Sequence, residues 1–370
     1  MKIALDASVF QIPPTGIAKV TLGLYEACRK RDPSLDIQML HHQPLQVRLP
    51  AGFRSVPWAT RGFPARFGRQ WALPLYAARA RPDAIHFPWN GGVPRGLGRI
   101  RVVVTLHDVL PLEIPGYFQG EGEERAYRRQ KQRDLDRTDL LITDSEYSKK
   151  RILQNFSLAA EPLVVHPGPT LQMAQGVGPE AGASDHSYFL YVGGYHPRKG
   201  VDRLLDVFTG LRRAGKLSGR LVLTGSREYF SAAFRKQVEE AVAEGLVEER
   251  GYVSDEMLAT LLAGARALVY PSKFEGFGLP PLEAMALGCP VITTRGTSLP
   301  EVCGDAAVYV DPDDSGDFAR ALVALEQDDG LRRDRKERGL RQAARFQWDK
   351  AAETYLEALE RLREGTGRSP

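Results

Sequence analysis

Two carboxylates bracket a glycine loop in the run Glu275-Gly-Phe-Gly-Leu-Pro-Pro-Leu-Glu283. An apolar stretch, Ala267-Leu-Val-Tyr270, precedes it and reads as a buried strand. From Leu279 onward Leu282, Met285 and Ala286 have helical spacing, and Gly288 stops them. Pro280 and Pro281 fit a first helical turn, where a missing N–H costs nothing. Strand, glycine loop and helix N-terminus together aim backbone N–H groups and a positive dipole end at one point, which suits a phosphate. Gly276 and Gly278 would let a ligand approach the backbone closely. Glu275 and Glu283 are suited to sugar hydroxyls, as acidic residues are in dinucleotide sites. Two such residues around a diphosphate outline a nucleotide-sugar site. An ordinary turn carrying surface glutamates is the plainer alternative.

A second loop has the same order. Strand Tyr188–Val192 leads into Gly193-Gly-Tyr-His-Pro-Arg-Lys-Gly200 and then a helix with Val201, Leu204, Leu205, Phe208 and Leu211 on one face. Arg198 offers a bidentate guanidinium and Lys199 a compact ammonium, and both would neutralise a diphosphate. In the first half, Arg101–Leu106 is a short buried strand ending in His107-Asp108. A histidine there lies at the rim where doubly wound sheets bind ligands, although a structural role is as open. Thr15-Gly16 stands where a loop meets the helix Ile17–Lys30, either a contact loop or a simple turn. Ser145 reads first as a helix cap.

Strands alternate with helices in both halves, so the pattern predicts an α/β protein of two doubly wound, parallel-sheet domains. The first covers 1–170, a Gly/Ala/Pro/Ser-rich linker covers 171–187, the second covers 188–345, and a helix ends the chain over 346–370. Arg61–Arg81 mixes arginines with Phe63, Phe67, Trp71 and Tyr76. A helix packing its aromatic side on the core is favoured over a membrane-surface helix, because Pro64 and Pro74 break the pattern.

Bulk composition excludes several classes. A chain of 370 residues with net charge +4 and 43% hydrophobic residues is that of a soluble globular protein, not a general nucleic-acid binder. No apolar run approaches the ~20 residues of a membrane span. Asp6 comes too early for a signal peptide. Cys28, Cys289 and Cys303 read as reduced cytosolic thiols with no metal spacing. Gly210-Leu-Arg-Arg-Ala-Gly-Lys216 imitates a P-loop but ends a helix and is followed by Leu217. Asp311, Asp313 and Asp314 read as a turn and helix cap, with no metal expected.

The chain resembles the retaining glycosyltransferases of family four, with the GT-B fold. The resemblance rests on Tyr191–Asp202, Gly251-Tyr-Val-Ser-Asp255, Glu275–Glu283 and Leu299–Ala306. It extends more loosely through Thr15-Gly-Ile17, Leu106–Pro111 and Thr143–Ser148. It implies two Rossmann-like domains, the first binding the acceptor and the second the nucleotide-sugar, with the active site in the cleft between them. The last helix would cross back to the first domain. Arg198 and Lys199 would then bind the donor diphosphate, Glu283 its ribose and Glu275 the transferred sugar. Phe277 and Gly278 would offer backbone N–H groups beside Leu279, and Tyr252 and Val253 would frame the base. Gly16 would lie near the diphosphate and His107 by the reacting sugar. The family requires no metal, and no cofactor is expected beyond the co-substrate.

The reaction so implied moves a hexose from a nucleoside diphosphate sugar to a saccharide acceptor, lipid-linked or free, with retention. The first half resembles bacterial surface-polysaccharide enzymes such as O-antigen mannosyltransferases. GDP-mannose is the first donor, with UDP- or dTDP-sugars as alternatives. A non-catalytic sugar-nucleotide-binding relative is the other reading. Location would be cytoplasmic, with a peripheral contact on the inner membrane left open and the oligomeric state undetermined.

Overall fold

The computed structural model describes residues 1–12, 15–57, 65–171, 187–226 and 231–365. Contacts divide the chain into two units, Met1–Gly168 with Gln347–Pro370, and Pro169–Phe346. The Gly- and Ala-rich stretch 172–186, read as a linker, lies outside the described residues. Leu171 at its edge is buried in the second unit's core.

In the first unit, β1 (Lys2–Asp6), α1 (Gly16–Arg31), β2 (Asp36–His41), β3 (Phe53–Pro57), α2 (Ala65–Ala80), β4 (Ala84–Phe87), β5 (Arg101–Thr105), α3 (Glu121–Leu135), β6 (Leu140–Thr143), α4 (Glu146–Asn155) and β7 (Leu163–Val164) follow in order. The strands make one sheet, β3-β2-β1-β4-β5-β6-β7. Every pairing in it is parallel. Apolar strands such as Ile3-Ala-Leu5 and Val102-Val-Val104 are buried because helices cover both faces of such a sheet. The C-terminal helix, Trp348–Arg363, packs on α1. Its Tyr355 hydroxyl lies 2.7 Å from that of Tyr25. A Cβ at Gly23 would come within 2.6 Å of the Trp348 ring, so glycine there permits the packing.

The second unit holds β8 (Tyr188–Val192), α5 (Val201–Arg213), β9 (Arg220–Thr224), α6 (Ala232–Ala243), β10 (Val247–Gly251), α7 (Asp255–Gly264), β11 (Ala267–Tyr270), α8 (Leu279–Ala286), β12 (Val291–Thr294), α9 (Leu299–Cys303), β13 (Val308–Val310), α10 (Ser315–Gln327) and α11 (Asp329–Ala343). Its sheet runs β10-β9-β8-β11-β12-β13, again parallel throughout. The order reverses direction between β8 and β11, which places a crevice at their carboxyl ends. One apolar cluster lies on each face of this sheet.

One strand is absent from the sequence reading, and the helix read over Arg61–Arg81 is present as α2. β3 was not expected; as an edge strand it buries little, so its apolar signal is weak. α2 runs straight through Pro74, because Leu73 and Ala77 on the same stretch are buried in the core. Arg61, Phe63 and Pro64, and the side chains of Arg66, Phe67, Arg69 and Trp71, lie outside the described residues. All three cysteines are free and buried.

Candidate active site

The glycine loop between β11 and α8 is held by its neighbour after β12. The Glu275 amide donates to Thr297 Oγ1 at 2.8 Å. The Ser298 hydroxyl lies 2.9 Å from the Glu275 carbonyl and 2.7 Å from that of Phe277. Thr297 sits at φ 52°, a conformation that β-branched residues avoid. The strain is compensated by the loop it fixes. Gly278 opens α8 at φ 115°, and a Cβ there would lie 2.9 Å from Leu299 Cδ2. Glycine is required at this point by the backbone itself.

The Arg198-Lys199 loop is brought against the same strand end. Gly200, at φ 64°, passes so near Pro271 that a Cβ would come 2.7 Å from its carbonyl oxygen. The Lys273 amide donates to the Arg198 carbonyl at 2.9 Å. Lys199 Nζ then donates to Glu275 Oε1 at 2.5 Å and to Tyr270 Oη at 2.7 Å. Tyr270 Oη donates in turn to Glu275 Oε1 at 2.9 Å. Arg198 Nη1 donates to the Phe274 carbonyl and lies 3.3 Å from Glu275 Oε1. The ammonium also sits 4.9 Å from the centre of the Tyr270 ring.

The electrostatics follow from this geometry. Burial favours a neutral Glu275 carboxyl, but the charges of Lys199 and Arg198 outweigh it and hold its pKa below the ordinary value. Two fixed cations facing one carboxylate leave an excess positive charge. Pro280 and Pro281 carry no N–H, so the start of α8 offers few donors and the two cations supply the anion-attracting charge. His196, whose ring accepts from the Arg198 amide, has its pKa lowered by burial and by the same two cations.

Glu283 is buried and accepts from Thr170 Oγ1. Phe277 packs its ring on Phe346, centroids 5.8 Å apart, so only its backbone faces the loop. Leu279 and Val253 are half-buried, and Tyr252 is 64% exposed just after β10. In the first unit, Gly16 is exposed as the first residue of α1, whose cap is Thr15 Oγ1 accepting from the Ala18 amide. Ser145 caps α4 in the same way.

His107 is buried just beyond β5 with both ring nitrogens engaged. Nδ1 lies 2.5 Å from Asp144 Oδ2 and Nε2 lies 2.9 Å from the Pro88 carbonyl oxygen. Both partners are acceptors, an arrangement that favours a proton on each nitrogen and so the charged ring. Burial opposes that charge, but Asp144 and the Pro88 carbonyl overcome it and raise the pKa. The His107 amide also donates to Asn90 Oδ1 at 2.9 Å.

The structure therefore joins Arg198, Lys199 and Glu275 in one cluster. Tyr270, Thr297 and Ser298 hold this cluster, Thr170 separately holds Glu283, and in the first unit Asp144 holds His107; none of these contacts is expected from sequence. A tyrosine ending an apolar strand and a Thr-Ser pair in a loop carry no signal of their own; only adjacent strand ends reveal them. Asp313 pairs with Lys273 and Arg203, and Asp314 caps α10. Among the described residues no group of three or more His, Cys, Asp or Glu is placed to hold a metal ion. Nor is any described helix long and apolar enough to cross a membrane.

Two parallel sheets with a charged cluster at the carboxyl ends of β8 and β11 define a two-unit, doubly wound α/β protein. The family described as glycosyl transferases group 1 matches residues 186–328, and the one described as glycosyltransferase family 4 matches residues 14–170. The chain is 30% identical to O-antigen chain mannosyltransferase B of Escherichia coli, over 98% of this chain and 100% of that one. Among solved structures, sucrose-phosphate synthase from Thermosynechococcus elongatus superposes with TM-score 0.78 and 20% identity, covering 98% of this chain and 99% of that one. HepE from Anabaena, in complex with UDP and glucose, gives TM-score 0.74 and 18% identity over 97% and 99%. The chain belongs to the group 1 and family 4 glycosyltransferases and is a transferase enzyme.

Proposed function

We propose that the chain is a hexosyltransferase of bacterial surface-polysaccharide synthesis. It moves mannose from GDP-mannose to a saccharide acceptor with retention of anomeric configuration. The observation that carries this reading is the Arg198–Lys199–Glu275 cluster, two cations and one buried carboxylate at adjacent strand ends. The name of the Escherichia coli relative supports mannose as the sugar and an O-antigen chain as the product.

In this reading the bond from the anomeric carbon to the diphosphate breaks as the acceptor hydroxyl attacks from the face the diphosphate leaves, a new carbon–oxygen bond forms, and the hydroxyl proton passes to the departing diphosphate. Arg198 and Lys199 stabilise the charge that grows on the leaving diphosphate, so no divalent cation is required. Glu275 holds the transferred sugar and keeps Lys199 aimed. Glu283 binds the ribose, Tyr252 and Val253 frame the base, and the Phe277 and Gly278 amides complete the donor loop with Leu279. Gly16 approaches the diphosphate. His107 acts by the reacting sugar as a fixed positive charge, since both its ring protons are already held by acceptors. Donor and acceptor would be met in the cytoplasm.

Thermal unfolding with GDP, UDP, dTDP and ADP tests the donor. A ligand binding only the native state stabilises by RT ln(1 + [L]/Kd), roughly 2.7 kcal/mol at a hundredfold excess over Kd. Selective stabilisation by GDP supports GDP-mannose. Selective stabilisation by another nucleotide keeps the transferase and discards mannose from GDP-mannose.

A further inference from the structure

One cavity lies away from the Arg198–Lys199 cluster. It measures about 470 Å³ and lies in the first unit. Its wall includes buried Ala77, Pro82 and Leu97, and four arginines, Arg81, Arg99, Arg101 and Arg363, line it. The one carboxylate in the lining, Asp83, already accepts from the Lys2 amide at 2.7 Å. Arg101 reaches Asp139 at 3.5 Å. Among the described residues no carboxylate pairs with Arg81, Arg99 or Arg363.

The position is separate from the sugar-nucleotide chemistry. Asp83 directly precedes β4 and Arg101 is the first residue of β5. The cavity is thus at the amino ends of these strands, whereas His107 follows the carboxyl end of β5. Arg81 is one of only two non-glycine residues with positive φ among the described residues, at 45°. A side chain is held there in a conformation that glycine would normally supply. Next to the lining residue Pro74, Leu75 on α2 is 66% exposed.

We propose that this cavity is a phosphoryl-binding site distinct from the donor site. Guanidinium forks match phosphoryl oxygens in pairs and are the least hydrated of the side-chain cations. An apolar wall beneath them lowers the local dielectric and strengthens that attraction. The group bound is either a free phosphate or diphosphate, or the headgroup of a phospholipid whose chains meet Leu75.

The test is calorimetric titration of the full-length chain with inorganic pyrophosphate, alongside Lys199→Ala and Arg99→Ser/Arg363→Ser. Wild type should show two sites. Lys199→Ala should weaken one of them. The double arginine variant should weaken the other by about tenfold or more, the scale of one lost charge-assisted hydrogen bond. Both arginines are exposed, and each single variant should show part of the loss if the double variant melts early. A single pyrophosphate site abolished by Lys199→Ala would overturn the proposal. So would an unchanged titration of the double variant. Flotation with phosphatidylglycerol vesicles then separates the sources. Flotation lost in the double variant identifies a lipid headgroup, and pyrophosphate binding without flotation identifies a free phosphate.

Discussion

Lys199 Nζ lies 2.5 Å from Glu275 Oε1, and this contact ties the loop after β8 to the loop after β11. Neither group is simply a surface charge. Each is largely buried, and Tyr270 bonds to both. A buried pair of this kind is costly to break, because the charge left behind loses its partner in a poorly solvated place.

Lys199→Ala should therefore have two effects. Nucleoside diphosphate binding should weaken by about tenfold to a hundredfold, the range of one charge-assisted hydrogen bond. The protein should also lose stability, because Glu275 keeps only Arg198 at 3.3 Å as its cation. Calorimetric titration with the donor nucleotide reads the first effect and chemical denaturation the second. Unchanged nucleotide affinity would remove Lys199 from the phosphate site.

Glu275→Gln separates sugar contact from phosphate binding. The amide fills the same space and still accepts from Lys199 and Tyr270, but it removes the negative charge. Turnover should fall by a larger factor than nucleotide affinity. Steady-state kinetics beside nucleotide titration decide it, and equal losses in both would mean that Glu275 serves only to hold Lys199.

Thr297→Val tests the loop brace. Valine keeps the side chain's shape at φ 52° but removes the oxygen that accepts from the Glu275 amide. An amide left without its partner should destabilise by about 1–3 kcal/mol. Thr297→Gly loses the same bond but relieves the strained backbone, so it should be the milder change. Urea denaturation of the two variants gives the order, and a Thr297→Gly variant less stable than Thr297→Val would contradict the strain argument.

Transfer activity should persist in EDTA. Arg198 and Lys199 already face the place assigned to the diphosphate, and Asp311, Asp313 and Asp314 are engaged in a turn, in ion pairs and in a helix cap. Activity lost to chelator and restored by a divalent ion would return those aspartates to consideration as ligands.

Most of this arrangement is periodic and therefore legible in sequence. Apolar runs such as Ala267–Tyr270 and glycine loops such as Gly193–Gly200 announce strand, turn and helix in a fixed order. Arg198, Lys199 and Glu275 stand out because charges interrupt those loops, and Glu283 because it is a charge in the otherwise apolar helix that follows. β3 does not stand out, since an edge strand needs little apolar surface. α2 hides its continuity because the penalty of Pro74 is local, while the burial of Leu73 and Ala77 that offsets it is tertiary. Thr297, Ser298 and Tyr270 are invisible for a related reason. Their roles depend on which strands are neighbours, and β11 lies beside both β8 and β12 only in the folded sheet.

His107 and His86 make stability depend on pH in opposite senses. His86 is buried between the Tyr25 and Thr105 hydroxyls, and burial, helped by the charge of His107, lowers its pKa to about 3. The unfolded chain binds that proton more readily, so His86 lowers stability as the pH falls from 6.5 toward 3. His107 has the reverse sign. Burial works against its charge, but Asp144 raises its pKa above the ordinary 6.5. Its contribution is fully present below 6.5 and is lost as the pH rises through the folded value, because there the native state binds more protons than the unfolded one. Urea denaturation of wild type across neutral and mildly alkaline pH should show this decline. His107→Gln should be less stable throughout, since Asp144 loses its cation, and should lack the decline. Parallel pH profiles for the two proteins would show that His107 is not held as an imidazolium, and the fixed charge assigned to it beside the sugar would go with it.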